Sequence, residues 1–222
     1  MSKARIAIVD YGMGNLFSVQ RACDVSGIDA FVARGPDELE RADGFILPGI
    51  GAFGTAMREL NESGMSTSLI QAARSGKPLL GICLGLQLLM TESHEFGRHL
   101  GLDLIPGSVR RLPELVDGER VKVPQVGWRQ VHAPSAKPWA QSLLQGVANG
   151  TFMYFVHSYY VEPMTKDCVV AVTSHGGYEY CSAIARDNIF ACQFHPERSG
   201  GEGLRIYANF AAFVEQRNIG RG

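Results

Sequence analysis

The 222-residue chain has no excess of either charge: 21 Lys and Arg stand against 22 Asp and Glu, a formal net charge of −1. No field of one sign is available to gather a phosphate backbone or an anionic lipid surface, so neither nucleic acid nor a membrane is an expected partner. Long hydrophobic runs are missing as well, and no stretch reaches the roughly 18 apolar residues of a membrane span. The start, MSKARIAIVDYG, turns polar at Asp10 without the apolar centre and cleavage site of a signal peptide. Cysteine is sparse. Cys23, Cys83, Cys168, Cys181 and Cys192 are odd in number, scattered and without a C-x-x-C pair, which excludes a disulfide framework or zinc ribbon and fits a reducing, cytoplasmic location. The six histidines lack metal-site spacing, so no metal is expected. A dinucleotide fingerprint also fails. In DYGMGNLFS, Phe17 stands where G-x-G-x-x-G requires a small residue, and the second strand runs into Arg34 rather than an acidic residue. Repeats, low-complexity tracts and linkers are absent, and residues 1–222 read as one domain.

What is present is a layered pattern. Residues 5–10 (RIAIVD), 29–33 (DAFVA), 44–49 (GFILPG) and 78–83 (PLLGIC) are short apolar runs of continuous rather than alternating polarity, the mark of parallel strands covered on both faces. Between them, 16–26, 36–41 and 55–74 carry helical spacing or composition. That alternation predicts an α/β fold with a mostly parallel central sheet and helices on both faces. From about Gly101 the rhythm shortens to GSVRRL, RVKVPQVGWRQVHA, TFMYFVHSYYVE, CVVAVTS, YCSAIARDN and IFACQFHPE, which predict hairpins and an antiparallel extension of the sheet. A closing amphipathic helix is expected over 201–216, with Ser199 as its N-cap.

Three segments carry chemistry. In Gly81-Ile82-Cys83-Leu84-Gly85 a thiol follows a buried strand and precedes a helix, the strand-to-helix layout of a nucleophile elbow with cysteine in place of serine. The Leu84 N–H, first in that helix, can face an oxyanion. In FACQFHPE, Pro196 forces His195 into an extended conformation, and side chains two apart in extended chain point the same way. Glu197 can therefore orient the His195 imidazole, which completes a nucleophile, base and orienter set. In LPGIGAFG, glycines around Ile50 free backbone N–H groups at the same sheet edge, making Ile50 or Gly51 the second oxyanion donor.

Taken together, PGIGAFG, GICLGLQLL, GW, YFVHSYY and FQFHPE resemble the class I glutamine amidotransferases over essentially the full length. DYGMGNLFSV, P-G-x-G and VGW before YFVHSYY are similar to the marks of the glutaminase subunits of imidazole glycerol phosphate synthase. The resemblance implies a flavodoxin-like amidotransferase fold and no cofactor. It implies that Cys83 attacks glutamine, that His195 protonates the departing ammonia and that Glu197 holds the imidazole. Gln87, Glu95, Ser158 and Tyr159 would grip the substrate. Ammonia would pass to a (β/α)8 cyclase partner forming a heterodimer with this chain, on the route to histidine, with Asn15, Trp128 and Arg198 on the partner-facing surface. Two positions depart from the family's pattern: Arg129 stands where Asn usually follows Gly-Trp, and Arg198 where Lys usually follows His-Pro-Glu. Two rivals remain. One is the glutaminase of pyridoxal phosphate synthesis, whose P-G-G-E-S-T differs from Pro48-Gly49-Ile50-Gly51-Ala52-Phe53 here. The other is a binding subunit without activity, against which the intact Cys83, His195 and Glu197 argue.

Overall fold

The computed structural model describes residues 4–134, 139 and 142–219. The first half runs β1 (Arg5–Val9), α1 (Leu16–Val25), β2 (Asp29–Ala33), α2 (Pro36–Glu40), β3 (Gly44–Leu47), α3 (Phe53–Glu62), α4 (Met65–Arg74), β4 (Leu79–Ile82) and α5 (Leu84–Leu88). Strands then dominate: β5 (Met90–Ser93), β6 (His99–Leu100), β7 (Ile105–Arg111), β8 (Leu115–Val116), β9 (Glu119–Arg120), β10 (Gln125–Gln130), β11 (Phe152–His157), β12 (Tyr159–Pro163), β13 (Val169–His175), β14 (Tyr178–Arg186) and β15 (Ile189–Cys192). A 3₁₀ turn at Pro196–Arg198 leads into α6 (Gly200–Ile219).

The main sheet has the order β2-β1-β3-β4-β15-β14-β12-β7-β5-β6, with β13 added alongside β14. From β2 to β15 every pairing is parallel. The strands β3, β4 and β15 are buried at every residue, as their unbroken apolar runs require. One core packs Ile6, Ile8, Ile46, Leu80 and Ile82 against Val19 and Ala22 of α1 and Ile206, Phe210 and Val214 of α6. The other packs Ala7, Val9, Phe45, Leu47 and Leu79 against Leu39, Phe53, Leu60 and Leu69 from α2, α3 and α4. Each of the Val, Leu, Ile and Phe side chains, fully buried, contributes about 1.5–3 kcal/mol of transfer free energy. Register levels the strand ends: Leu47 lies beside Gly81, and Ile82 beside Cys192. The segments that leave β3, β4 and β15 therefore emerge on one rim, at the carboxyl edge where open α/β sheets bind ligands. No helix among the described residues is long and apolar enough to cross a membrane.

Four local expectations are revised. The stretch 55–74 is two helices, because Gly64 takes a left-handed φ of 72° and turns the chain after Ser63 caps α3. The last strand is not part of the antiparallel extension; β15 inserts parallel to β4, and β14 is the first antiparallel neighbour. Asn188 pins the start of β15 there, donating its side-chain amide to the Ala73 and Lys77 carbonyls at 2.9 and 2.6 Å. The run TFMYFVHSYYVE is cut at Ser158, with β11 joining β10 in a separate two-stranded ribbon while β12 enters the main sheet. Ser199 precedes α6 as expected, but its hydroxyl donates to the His195 carbonyl at 2.6 Å and accepts the Tyr154 N–H at 3.0 Å. It ties the HPE segment to the ribbon.

Candidate active site

Cys83 sits at φ 55°, ψ −107° between β4 and α5, a conformation sparsely populated by residues with a side chain. The glycines around it answer to specific neighbours. A Cβ on Gly85 would lie 1.8 Å from the Leu47 carbonyl oxygen, and one on Gly81 would lie 2.9 Å from the Ala191 Cβ. Helix α5 can therefore cross directly over the end of β3, which turns the sulfur upward. The Cys83 N–H is anchored to the Cys192 carbonyl at 2.8 Å. Burial pushes the thiols of Cys23, Cys168, Cys181 and Cys192 up, consistent with inert core residues. Cys83 is the cysteine that lies on a pocket wall beside Gln87 and Glu95.

His195 and Glu197 meet as expected, by a different local route. His195 is extended, at φ −102°, ψ 95°, but Glu197 lies inside the 3₁₀ turn that Pro196 starts. The turn carries the carboxylate back to the ring, and Nδ1 and Glu197 Oε1 are 2.7 Å apart with both side chains at most 5% exposed. A carboxylate only accepts, so Nδ1 holds the proton and Nε2 is the nitrogen available to the sulfur. Burial works to lower the His195 pKa, but the Cys83 sulfur and then Glu197 outweigh it and raise it to about 10. Nε2 is buried and, among the described residues, no group lies within full hydrogen-bonding geometry of it, so the sulfur acts on it first through charge and second through a long hydrogen bond. Such contacts commonly tighten only when substrate is in place.

The pocket above the sulfur has a volume of about 640 Å³. Ile50, Gly51, Leu84, Gln87, Glu95, Ser158 and Tyr159, all singled out in the sequence, line it together with Cys83. Leu84 opens α5, so its N–H has no carbonyl within the helix to bond. Gly51 adopts φ +100°, a conformation that a side chain would disfavour. Under this loop the Tyr11 hydroxyl donates to the Pro48 carbonyl at 2.9 Å. Glu95 lies on the turn between β5 and β6 rather than on the nucleophile's helix. One of its oxygens accepts the Phe53 N–H at 2.5 Å, which links the pocket to the end of the glycine loop. The remaining charged side chains on the wall are Arg111 and Arg198.

Asn15 is exposed and caps α1 by accepting the Ser18 N–H at 3.3 Å. Trp128 is 48% exposed and meets Tyr154 edge-on, centroids 6.0 Å apart. The Arg198 guanidinium lies 4.1 Å from the centre of the same Tyr154 ring. Arg129 donates to the Trp128 carbonyl at 2.9 Å. Val126, Phe152 and Val156 are exposed on the ribbon with Trp128, so an apolar band borders the pocket. Sequence reasoning missed Tyr11, Phe96, Arg111 and Gln193. Gln193 could have been found: a polar side chain inside the apolar run FACQF needs a buried partner. Phe96 and Arg111 sit in turns and strands whose sequence gives no such signal.

The family pattern of the class-I glutamine amidotransferases matches residues 7–213. The chain is 48% identical over 209 residues to the imidazole glycerol phosphate synthase subunit HisH of Moorella thermoacetica, covering 94% of this chain and 95% of that protein. It is 46% identical over 208 residues to the subunit of the same name from Geobacter sulfurreducens, covering 93% and 97%. Among solved structures, PurLQS from Thermotoga maritima superposes with a TM-score of 0.71 at 18% identity, over 96% of this chain and 100% of that one. A glutamine amidotransferase from Thermotoga maritima gives 0.62 at 15% identity, over 99% and 87%. At such identities the structural likeness speaks for the fold.

Proposed function

The chain belongs to the class-I glutamine amidotransferases, and from that premise we propose that Cys83, His195 and Glu197 carry out glutamine hydrolysis in the glutaminase subunit of imidazole glycerol phosphate synthase. The observation that carries the reading is the convergence of segments 112 residues apart in sequence (83 to 195): the strained Cys83 lines the pocket, and the buried His195–Glu197 pair lies close enough for the sulfur's charge to act on the imidazole. The likeness to HisH subunits supports the specific reaction.

In the mechanism, the sulfur attacks the side-chain amide carbon of glutamine and the carbonyl electrons move onto oxygen. The Leu84 N–H and an N–H from Ile50 or Gly51 receive that oxyanion. His195 passes its Nε2 proton to the amide nitrogen, the C–N bond breaks and ammonia leaves. Water, deprotonated by the same nitrogen, then hydrolyses the glutamyl thioester to glutamate and restores the thiol. Glu197 keeps Nε2 aimed at the sulfur throughout. One carboxylate, Glu95, and two guanidiniums, Arg111 and Arg198, suit the ammonium and carboxylate of an amino-acid head group. Gln87, Ser158 and Tyr159 complete the grip. No step calls for a cofactor or metal.

Ammonia passes to a cyclase partner, a (β/α)8 barrel in this reading, docked over Asn15, Trp128 and Arg198. We take residues 1–222 as one amidotransferase domain acting in the cytoplasm, without nucleic acid or membrane contacts. The test is a glutaminase assay of the complex with and without Cys83→Ala. Glutamine-dependent synthesis should fall by at least about 10³-fold, while synthesis from added ammonium salt stays within twofold. Retained glutamine hydrolysis in the variant would refute the reading.

A further inference from the structure

Gln193 lies between β15 and His195 with no exposure, and its side-chain amide approaches the Cys83 sulfur, Nε2 to Sγ 3.6 Å. Which end of an amide faces a sulfur is decided by its other partners. Here the chain of partners ends on an atom that cannot be ambiguous, the backbone carbonyl of Tyr159, an acceptor only. The Gln87 atom 2.9 Å from it must be the nitrogen. That nitrogen has two hydrogens; the second goes to the other Gln87 neighbour, Gln193, at 3.1 Å. The Gln193 atom facing Gln87 is therefore its oxygen, which turns its N–H₂ toward the sulfur. The Tyr159 carbonyl is held in turn by His157 Nδ1–H at 2.9 Å. Reversing Gln87 would set two acceptors against each other and reversing Gln193 two donors, in a buried site, at a cost of about 1–3 kcal/mol.

We propose that Gln193 directs the nucleophile in this reaction, donating its side-chain N–H to the Cys83 sulfur in an orientation locked by Gln87. The donor favours negative charge on the sulfur, in the attacking state and again when the thioester releases it. Both hydrogens of Gln87 are committed to this lock, so only its carbonyl oxygen is left to accept from substrate. Gln87 is the positioning residue that joins substrate contact to the aim of the sulfur. This inference rests on Cys83 being the nucleophile.

The experiment compares wild type with Gln193→Met, measuring iodoacetamide alkylation of Cys83 by peptide mass on the full chain and glutamine turnover on the complex with the cyclase partner. At about pH 7, alkylation should fall roughly tenfold, the loss of one hydrogen bond to a charged group. At about pH 10, where an ordinary thiol is ionised, the two proteins should agree within about twofold. Turnover should fall roughly tenfold in kcat with the glutamine KM within about twofold. Equal alkylation at both pH values, or an equal loss at both, overturns the proposal, because a merely structural change would not depend on pH. Should Gln193→Met fail to fold, Gln87→Met releases the lock without touching Gln193 and must show the same pH-selective loss; its absence likewise overturns the proposal. Full activity of Cys83→Ala would instead refute the nucleophile itself, which keeps the two failures apart.

Discussion

Two buried histidines, His157 on the pocket wall and His195 near the Cys83 sulfur, end neighbouring segments, and their surroundings drive them to opposite charge states. His157, at the end of β11, hydrogen-bonds to neutral groups, the Tyr159 carbonyl at Nδ1 and the Tyr180 hydroxyl 3.1 Å from Nε2, and the charges of His175 and His195 nearby act against its protonation. Burial dominates there and lowers its pKa to about 3. His195 is as deeply buried, but a carboxylate and the sulfur flank its two nitrogens and raise it to about 10. Burial by itself does not decide the charge of an imidazole; the charge of its two partners does. The neutral one holds a pocket wall in shape through Tyr159, and the charged one is equipped to move a proton.

The largest expected difference between the two is in turnover. Glu197→Gln removes the acceptor that orients His195 and should lower glutaminase kcat by about 10²–10⁴-fold. His157→Phe, which costs packing and two neutral hydrogen bonds, should lower it by less than about tenfold. Steady-state assays of the complex check both, and a His157 loss matching that of Glu197 would erase the distinction.

The pH dependence of stability should separate them by sign. Folded His195 holds its proton above the ordinary value of 6.5, so its stabilising contribution is fully present below about 6.5 and is lost as pH rises toward 10. Folded His157 resists protonation, so the stability tied to its neutral form is present above 6.5 and lost as pH falls toward 3. Denaturant midpoints across pH for His195→Gln and His157→Gln should flatten the alkaline and the acid limb respectively. The smallest effect is expected at the pocket mouth. Arg198→Ala removes a partly exposed cation–π contact with Tyr154 and should cost about 0.5–1 kcal/mol in a thermal or denaturant melt.

Much of this arrangement was legible in the chain. The unbroken apolar runs revealed β1, β3 and β4 because a strand covered on both faces has no polar side to show. The glycines flanking Cys83 revealed the elbow because a Cβ at position 85 would strike the Leu47 carbonyl. Other features left no local trace. Ser158 divides β11 from β12 without a turn residue, since only the ribbon partner β10 decides where the strand leaves the main sheet. The placement of β15 beside β4 is equally non-local, set by its need for cover on both faces and by the Asn188 anchor. The His195–Glu197 contact was foreseen, but extended-chain alternation was the wrong cause; the 3₁₀ turn supplies it.

The sequence by itself determined the reactive inventory: a thiol on a strand-to-helix turn, a histidine before proline with glutamate after it, and a glycine loop, each specified by sterics acting within a few residues. Tertiary structure alone decided that they share one rim, because the register of three parallel strands levels their ends across more than a hundred residues of chain. It also decided the electrostatics. The charge of His195, the neutrality of His157 and the orientation of Gln193 follow from which buried groups come within a few ångströms of one another, and no local pattern encodes that distance.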